Sequence, residues 1–270
     1  MMKQSVSAVF LGTGSAVNQG LGNSACVIQK EGAPWLLIDC GHDTLARYKD
    51  YAGELPRYTF ITHLHFDHIG GLEQLYYQTC IHQPGFTPTV FVPSQLVNRL
   101  TQILSNTGMA EKGINLWDAM RIVPVFEEFW HDGVAFQVHS VRHHKPNTAF
   151  ALQLPGSFFY TGDTRPIPEI LHHQAVYQEV IFHDATLMGN PSHSGVDELI
   201  ACYNAETLSR LVVYHYSTRE AGELIESKGI KVAKPGEVFA LSLAANTAHH
   251  SQGEGEDELT HIQTNLCSIS

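Results

Sequence analysis

The sequence predicts an α/β fold of four layers, an αββα sandwich with two β-sheets face to face and helices on both outer surfaces. Three observations lead there. Short apolar or β-branched runs bounded by Gly, Pro or Asn fill the start of the chain, the same pattern returns in its second half, and each block of strands gives way to segments of helical spacing. A sheet from each half, with helices outside, satisfies both blocks at once.

Taken in order, "SAVFLG", "ACVIQ" and "PWLLID" read as strands, "TLARYKDYA" as a helix with Leu45, Tyr48 and Ala52 near helical spacing, and "RYTFIT" as a strand ending at His63. Gly70 and Gly71 lead into a helix over "LEQLYYQTCIH" that turns Leu72, Leu75, Tyr76 and Cys80 inward. "PTVFV" is a strand, and "SQLVNRLTQIL" is a helix with Ser94 as its N-cap. Residues 106–119 carry no assignable pattern. The second block offers the strands "MRIVPV", "VAFQVHSV", "TAFALQL" and "SFFYTG", with a hairpin turn at Pro155-Gly156. Helix and strand then alternate through "IPEILHHQA", "EVIFHDA", "VDELIACYNA", "RLVVYH", "REAGELIESKG" and "GEVFAL". Nothing between them reads as a linker, so one domain is expected over residues 1–245. Residues 246–270, polar and acidic, read as a disordered tail.

Composition excludes several functions. With 16 Lys and Arg against 27 Asp and Glu, a net charge of −11 leaves no basic groove for a long nucleic acid, while a small anionic substrate at a metal stays open. The five cysteines form no C-x-x-C pair and are odd in number, which argues against a disulfide framework and a thiolate zinc site and fits a reducing cytoplasm. No apolar stretch approaches the roughly 18 residues of a membrane span. The "GTGSAV" loop places Val17 where a dinucleotide fingerprint needs its third glycine, so that reading fails.

The chemistry concentrates in "FITHLHFDHIGG". His63, His65, Asp67 and His68 follow H-x-H-x-D-H at the exit of a strand. Alternation points His63 and His65 the same way, and the turn toward Gly70 swings Asp67 and His68 to an adjacent position, which gives two metals close together. Imidazole nitrogen and carboxylate oxygen suit zinc, and also manganese or iron.

With these residues the sequence resembles the metallo-β-lactamase fold hydrolases, from "FLGTGSA" to "KPGEVFAL". The resemblance implies that Asp39 of "LLIDCG" orders the histidine loop. It implies that "VRHHKPNTAF" supplies the third histidine of metal one, His143 or alternatively His144, that Asp163 of "YTGDT" bridges both ions, and that His215 of "VVYHYS" completes metal two. Metal one would be held by His63, His65 and His143, metal two by Asp67, His68 and His215, with Asp163 shared. Two such ions, about 3.5–4 Å apart, polarise the scissile centre and stabilise attacking and leaving oxygens, so hydrolysis is implied. Within the superfamily, "FLGTGSAV", "HDAT" and "HSG" resemble the RNase Z branch, which implies that Asp184 orients His193 as the acid that protonates the leaving oxygen. Asp67, Asp184 and His193 are thus the expected participants in catalysis. Asp184 stands where the family usually has Glu.

RNase Z enzymes carry a long Gly- and Pro-rich arm between the third histidine and the bridging aspartate. Here residues 144–163 leave room only for a strand, a turn and a strand. The expectation is therefore a phosphodiesterase for a small phosphodiester, such as a cyclic nucleotide or cyclic phosphate, homodimeric as its relatives commonly are. The alternatives are thioester or lactone hydrolysis on the same fold, tRNA 3′ processing, and nucleotide binding without cleavage.

Overall fold

Strands whose successive side chains are apolar on both sides can be buried only between two layers, and this chain arranges them so. The computed structural model describes residues 5–18, 20–81, 83, 85–108, 112–174 and 179–243. The expected tail, with His249 and His250, lies outside the described residues. One seven-stranded sheet runs β14-β1-β2-β3-β4-β5-β6 and the other β13-β12-β11-β10-β9-β8-β7. The first comprises β1 (Ser5–Gly12), β2 (Ala25–Lys30), β3 (Ala33–Ile38), β4 (Tyr58–Phe60), β5 (Thr89–Pro93), β6 (Arg121–Val125) and β14 (Val238–Ser242). The second comprises β7 (Glu128–His131), β8 (Val134–Ser140), β9 (Phe150–Leu154), β10 (Phe158–Tyr160), β11 (Val180–Asp184), β12 (Leu211–Tyr214) and β13 (Lys231–Val232). The last strand returns to pair antiparallel with the first, Ser5 opposite Ser242.

The period-2 alternation of strands decides which layer each residue joins. Phe158, Tyr160, Phe182, Val212 and Tyr214 belong to the core shared with Phe10 and Phe60 of the opposite sheet, whereas Phe159, Ile181 and Val213 belong to the outer cluster. Phe10 meets Phe182 edge-on at 5.2 Å, and Tyr160 stacks on Tyr214 at 4.7 Å. Each such buried side chain contributes about 1.5–3 kcal/mol. Outside the second sheet, Leu171 of α6 (Pro168–Gln174), Leu199 of α7 (Val196–Cys202) and Ile225 of α9 (Arg219–Ser227) cover that outer cluster. On the other side, α1 (Thr44–Ala52), α3 (Gly71–Ile81) and α4 (Ser94–Leu104) bury Leu45, Leu72, Leu75, Leu96 and Leu100. The expected αββα sandwich is the observed architecture.

Some local expectations change. Ser94 is the first helical residue of α4, not its cap; Pro93 holds the N-cap position and the Ser94 hydroxyl turns to Gln95 Oε1, 3.1 Å away. Proline fixes the chain direction there without a side-chain cap. β7, β13 and the short helices α2 (Phe66–Ile69), α5 (Leu116–Ala119) and α8 (Ala205–Ser209) have no counterpart among the elements that the sequence predicts.

The topology also places the site. Strands β10, β11 and β12 are parallel, and β8 runs with them because both β8 and β10 pair antiparallel with β9. Their carboxyl ends therefore open at one edge, where α/β folds bind ligands. The exit of β4 is stitched to the same edge by Phe150 N–H donating to the Thr62 carbonyl at 3.0 Å and by a bridge between His63 and Ala149.

Candidate metal centre

The histidine loop is held from behind by Asp39. This residue follows β3 in a left-handed conformation (φ 62°) and is fully buried, a strained placement of the kind that persists when surrounding bonds fix it. One carboxylate oxygen accepts from Thr62 N–H at 2.8 Å; the other accepts from the Thr62 hydroxyl at 2.8 Å and from His68 Nδ1 at 2.7 Å. The adjoining turn packs backbone to backbone, Cys40 N–H donating to the His68 carbonyl at 2.7 Å and Gly71 N–H to the Cys40 carbonyl at 2.8 Å. A Cβ on Gly41 would run into the Asp67 carbonyl oxygen, so this approach needs glycine.

Three imidazoles then converge. The Thr62 hydroxyl, having given its proton to Asp39, accepts from His63 Nδ1 at 3.1 Å, and His143 Nδ1 donates to the Ser192 carbonyl at 2.8 Å. Both rings therefore present an unprotonated Nε2 inward. His65 Nδ1 lies 3.1 Å from His63 Nε2 and 3.2 Å from His143 Nε2. Around a tetrahedral zinc with Zn–N of about 2.0–2.1 Å, ligand atoms stand roughly 3.3 Å apart. The three nitrogens thus have the spacing of one ligand polyhedron. Burial pushes the His143 imidazole down to about 4, which keeps it a neutral donor.

The second group is built the same way. Asp67 Oδ2 lies 3.4 Å from His68 Nε2 and 3.5 Å from His215 Nε2. Asp163 Oδ2 stands 3.3 Å from both of those nitrogens, and also 3.5 Å from His63 Nε2 and 3.9 Å from His143 Nε2. It is a vertex of both groups. Among the described residues, His63, His65, His143 and Asp163 form one convergent set, Asp67, His68, Asp163 and His215 a second, and Asp163, Asp184, His193 and His215 a third that overlaps the second. The Nε2 atoms of His68 and His215 and the Asp163 Oδ1 are buried with no hydrogen-bond partner, a costly state that a cation would relieve. Burial alone would push the Asp163 carboxyl up, but His215, His68 and His63 hold it well below the usual carboxylate range. Burial likewise opposes charge on His68, yet Asp163 and Asp39 raise its pKa. Both directions describe a pocket that attracts positive charge. The residues fit a pair of divalent ions.

Asp184 and His193 stand beside these groups. Asp184 ends β11 fully buried; its Oδ2 accepts from His193 Nδ1 and from Thr164 N–H, each at 2.9 Å, while Oδ1 lies 3.3 Å from His215 Nδ1. His193 Nδ1 is 3.9 Å from Asp163 Oδ2, and its ring stacks on His215 at 4.8 Å. Burial disfavours the imidazolium, but the Asp184 hydrogen bond and charge prevail and raise the His193 pKa. His193 does not cap α7, whose N-cap is Gly195. His144 joins none of the three convergent groups among the described residues; its Nδ1 is 2.9 Å from the Ser192 hydroxyl. Sequence pattern does not point to Thr62, Thr164 and Ser192, because they act largely through backbone groups, which no residue type advertises.

Residues 6–239 match the family model described as "Anti-Pycsar protein Apyc1". The chain belongs to that family. Among curated Apyc1 proteins, that of Bacillus phage 010DV004 is 24% identical over 89% of this chain and 100% of its own, and that of Saccharibacillus brassicae is 29% identical over 77% and 88%. Solved structures agree on the fold. A metallo-β-lactamase fold protein of Bacillus subtilis superposes with a TM-score of 0.69 at 14% identity, over 87% of this chain and 99% of that one. A diphosphatase of the PhnP family gives 0.72 at 18% identity, over 90% and 100%, and the short form of human tRNase Z 0.59 at 19%, over 88% and 100%. The Apyc1-family chain therefore carries the metallo-β-lactamase hydrolase fold.

Proposed function

We propose that this protein is a dinuclear metal-dependent phosphodiesterase that opens a small phosphodiester, such as a cyclic nucleotide or a related cyclic phosphate. The observation that carries the reading is the Asp184–His193 pair, 2.9 Å apart and next to the shared Asp163. Breaking a P–O ester bond expels an alkoxide that needs a proton. A buried carboxylate that holds an imidazole proton-bearing at the mouth of a metal pocket meets that need. His63, His65 and His143 would hold one ion, Asp67, His68 and His215 the other, and Asp163 both. When bound, divalent ions supply Lewis-acid stabilisation of the phosphoryl charge and activate water. Zinc suits the nitrogen-rich set; manganese and iron share these donors.

Asp39 fixes the tautomer of His68, and the Ser192 carbonyl that of His143, so that both rings offer a lone pair inward. Asp184 holds the Nδ1–H of His193, His193 gives its Nε2 proton to the leaving oxygen, and water supplies the oxygen that ends on phosphorus. The small size of the substrate is supported by residues 144–163, which contain β9, a turn at Gly156 (φ 75°) and β10, and by the net charge of −11. The names of two structural neighbours, a diphosphatase and a tRNase Z, support phosphoryl chemistry at such a site. The test is a panel: protein loaded with zinc or manganese, offered 2′,3′- and 3′,5′-cyclic nucleotides, a linear phosphodiester, a tRNA precursor and a thioester. Ring opening to a nucleoside monophosphate is the expected result; turnover of the thioester alone would overturn the reading.

A further inference from the structure

Beside the ligand His143 stands a second histidine that the metal groups do not use. His144 is exposed, its ring 4.1 Å from that of His143 and 4.8 Å from that of His65. Its anchor is unusual in serving two rings at once. Ser192 accepts from His143 Nδ1 through its carbonyl at 2.8 Å, and its hydroxyl lies 2.9 Å from His144 Nδ1. Ser192 is itself fixed, its N–H donating to Asn190 Oδ1 at 2.8 Å, and the same oxygen accepts from His193 N–H at 3.1 Å. A single loop therefore sets the third ligand of metal one, the acid and His144.

We propose that His144 is a substrate-contacting residue that donates its Nε2–H to a non-bridging oxygen of the phosphate, and that Ser192 positions it by donating its hydroxyl proton to Nδ1. A hydroxyl can donate or accept, and the ligand decides between the two. If Ser192 accepted from Nδ1–H, a neutral His144 would turn a bare nitrogen lone pair toward an anion; with Ser192 as donor, the proton sits on Nε2 and the free edge of the ring becomes an anion-binding group. The surrounding charge agrees. The exposed Lys145 follows His144 directly, while the Arg142 guanidinium is already paired with Glu169 at 2.9 Å. The ligand class, a phosphate ester, rests on the phosphodiesterase reading above.

The test uses the full chain loaded with zinc. Calorimetric titration with phenyl phosphate reads binding, and hydrolysis of bis(p-nitrophenyl) phosphate reads KM and kcat. His144→Ala is expected to weaken phenyl phosphate binding and raise KM by about tenfold or more, the range for a hydrogen bond to a charged group, with kcat little changed and both metal equivalents retained. His144→Gln, which keeps an N–H donor, should recover most of the loss, and Ser192→Ala should show a smaller loss in the same direction. An unchanged Kd and KM in His144→Ala, loss of a metal equivalent in that variant, or wild-type protein that fails to bind phenyl phosphate would each overturn the assignment. If wild-type protein binds phenyl phosphate through His144 yet hydrolyses no phosphodiester, the proposed function fails and this assignment stands.

Discussion

Replacing His193 with Ala separates acid catalysis from metal binding, because His193 is held by Asp184 and lies outside the two groups proposed to hold the ions, meeting Asp163 only in the third cluster with Asp184 and His215. A positioned general acid supplies about 10²- to 10⁴-fold, or roughly 2.7–5.4 kcal/mol of barrier at 1.36 kcal/mol per factor of ten. The loss should depend on the leaving group. A ribose alkoxide leaves only with a proton, so a cyclic nucleotide should suffer the full loss; p-nitrophenolate is stable as the anion, so bis(p-nitrophenyl) phosphate should suffer far less. The side chain is 19% exposed, so water entering the gap can donate a proton only weakly and without orientation. Steady-state kcat on both substrates, with metal content measured alongside, is the assay. Equal losses on the two substrates with both metals retained would show that His193 is not the proton donor.

Three further outcomes are expected. Asp163→Ala should abolish stoichiometric binding of two ions, read by metal analysis after gel filtration; two retained equivalents would refute the shared vertex. Asp184→Asn removes the charge that raises the His193 pKa, so that pKa should fall. The protonated acid would then persist only to lower pH, and the alkaline limb of the kcat/KM profile should move down in pH; an unmoved limb would disconnect the pair from catalysis. Asp39→Ala frees His68 Nδ1 and both Thr62 donors, and metal affinity measured by chelator competition should drop by about 10- to 100-fold.

Much of this was legible in the sequence because metal ligands cluster in short segments at strand ends, where residue type and spacing carry the chemistry. "FITHLHFDHIGG" contains four of the seven proposed metal ligands, and each of the others closes or follows a strand readable from its apolar run. The sequence favours His143 over His144 only through the resemblance, by its place three residues before Pro146. Both follow the same strand, and what separates them is a carbonyl, that of Ser192, nearly fifty residues on. The elements with no predicted counterpart are illegible for related reasons. β13 has only two residues, β7 continues the run after "RIVPV" with no turn signal, and α2 and α5 have four residues each, too few to show a period.

The aspartate at 184 is the point where local sequence and fold pull in different directions. A Glu-to-Asp exchange shortens the reach to an acid on another loop, yet the pair closes at 2.9 Å. The loop comes to the carboxylate. Ser194 donates both its N–H, at 3.1 Å, and its hydroxyl, at 2.8 Å, to the Thr164 carbonyl, and Thr186 N–H donates to the Ser194 carbonyl at 2.8 Å, which draws residue 193 in over the end of β11. From beneath, His183 Nδ1 donates to the Asp184 carbonyl and its Nε2 accepts from the buried Tyr203 hydroxyl, each at 2.7 Å, so the backbone of Asp184 cannot yield. The shorter side chain also stays within 3.3 Å of His215 Nδ1. One carboxylate thereby orients the acid and a proposed ligand of metal two together, so a change at 184 should disturb proton delivery and metal binding at once, whereas a change at 193 should disturb only the first.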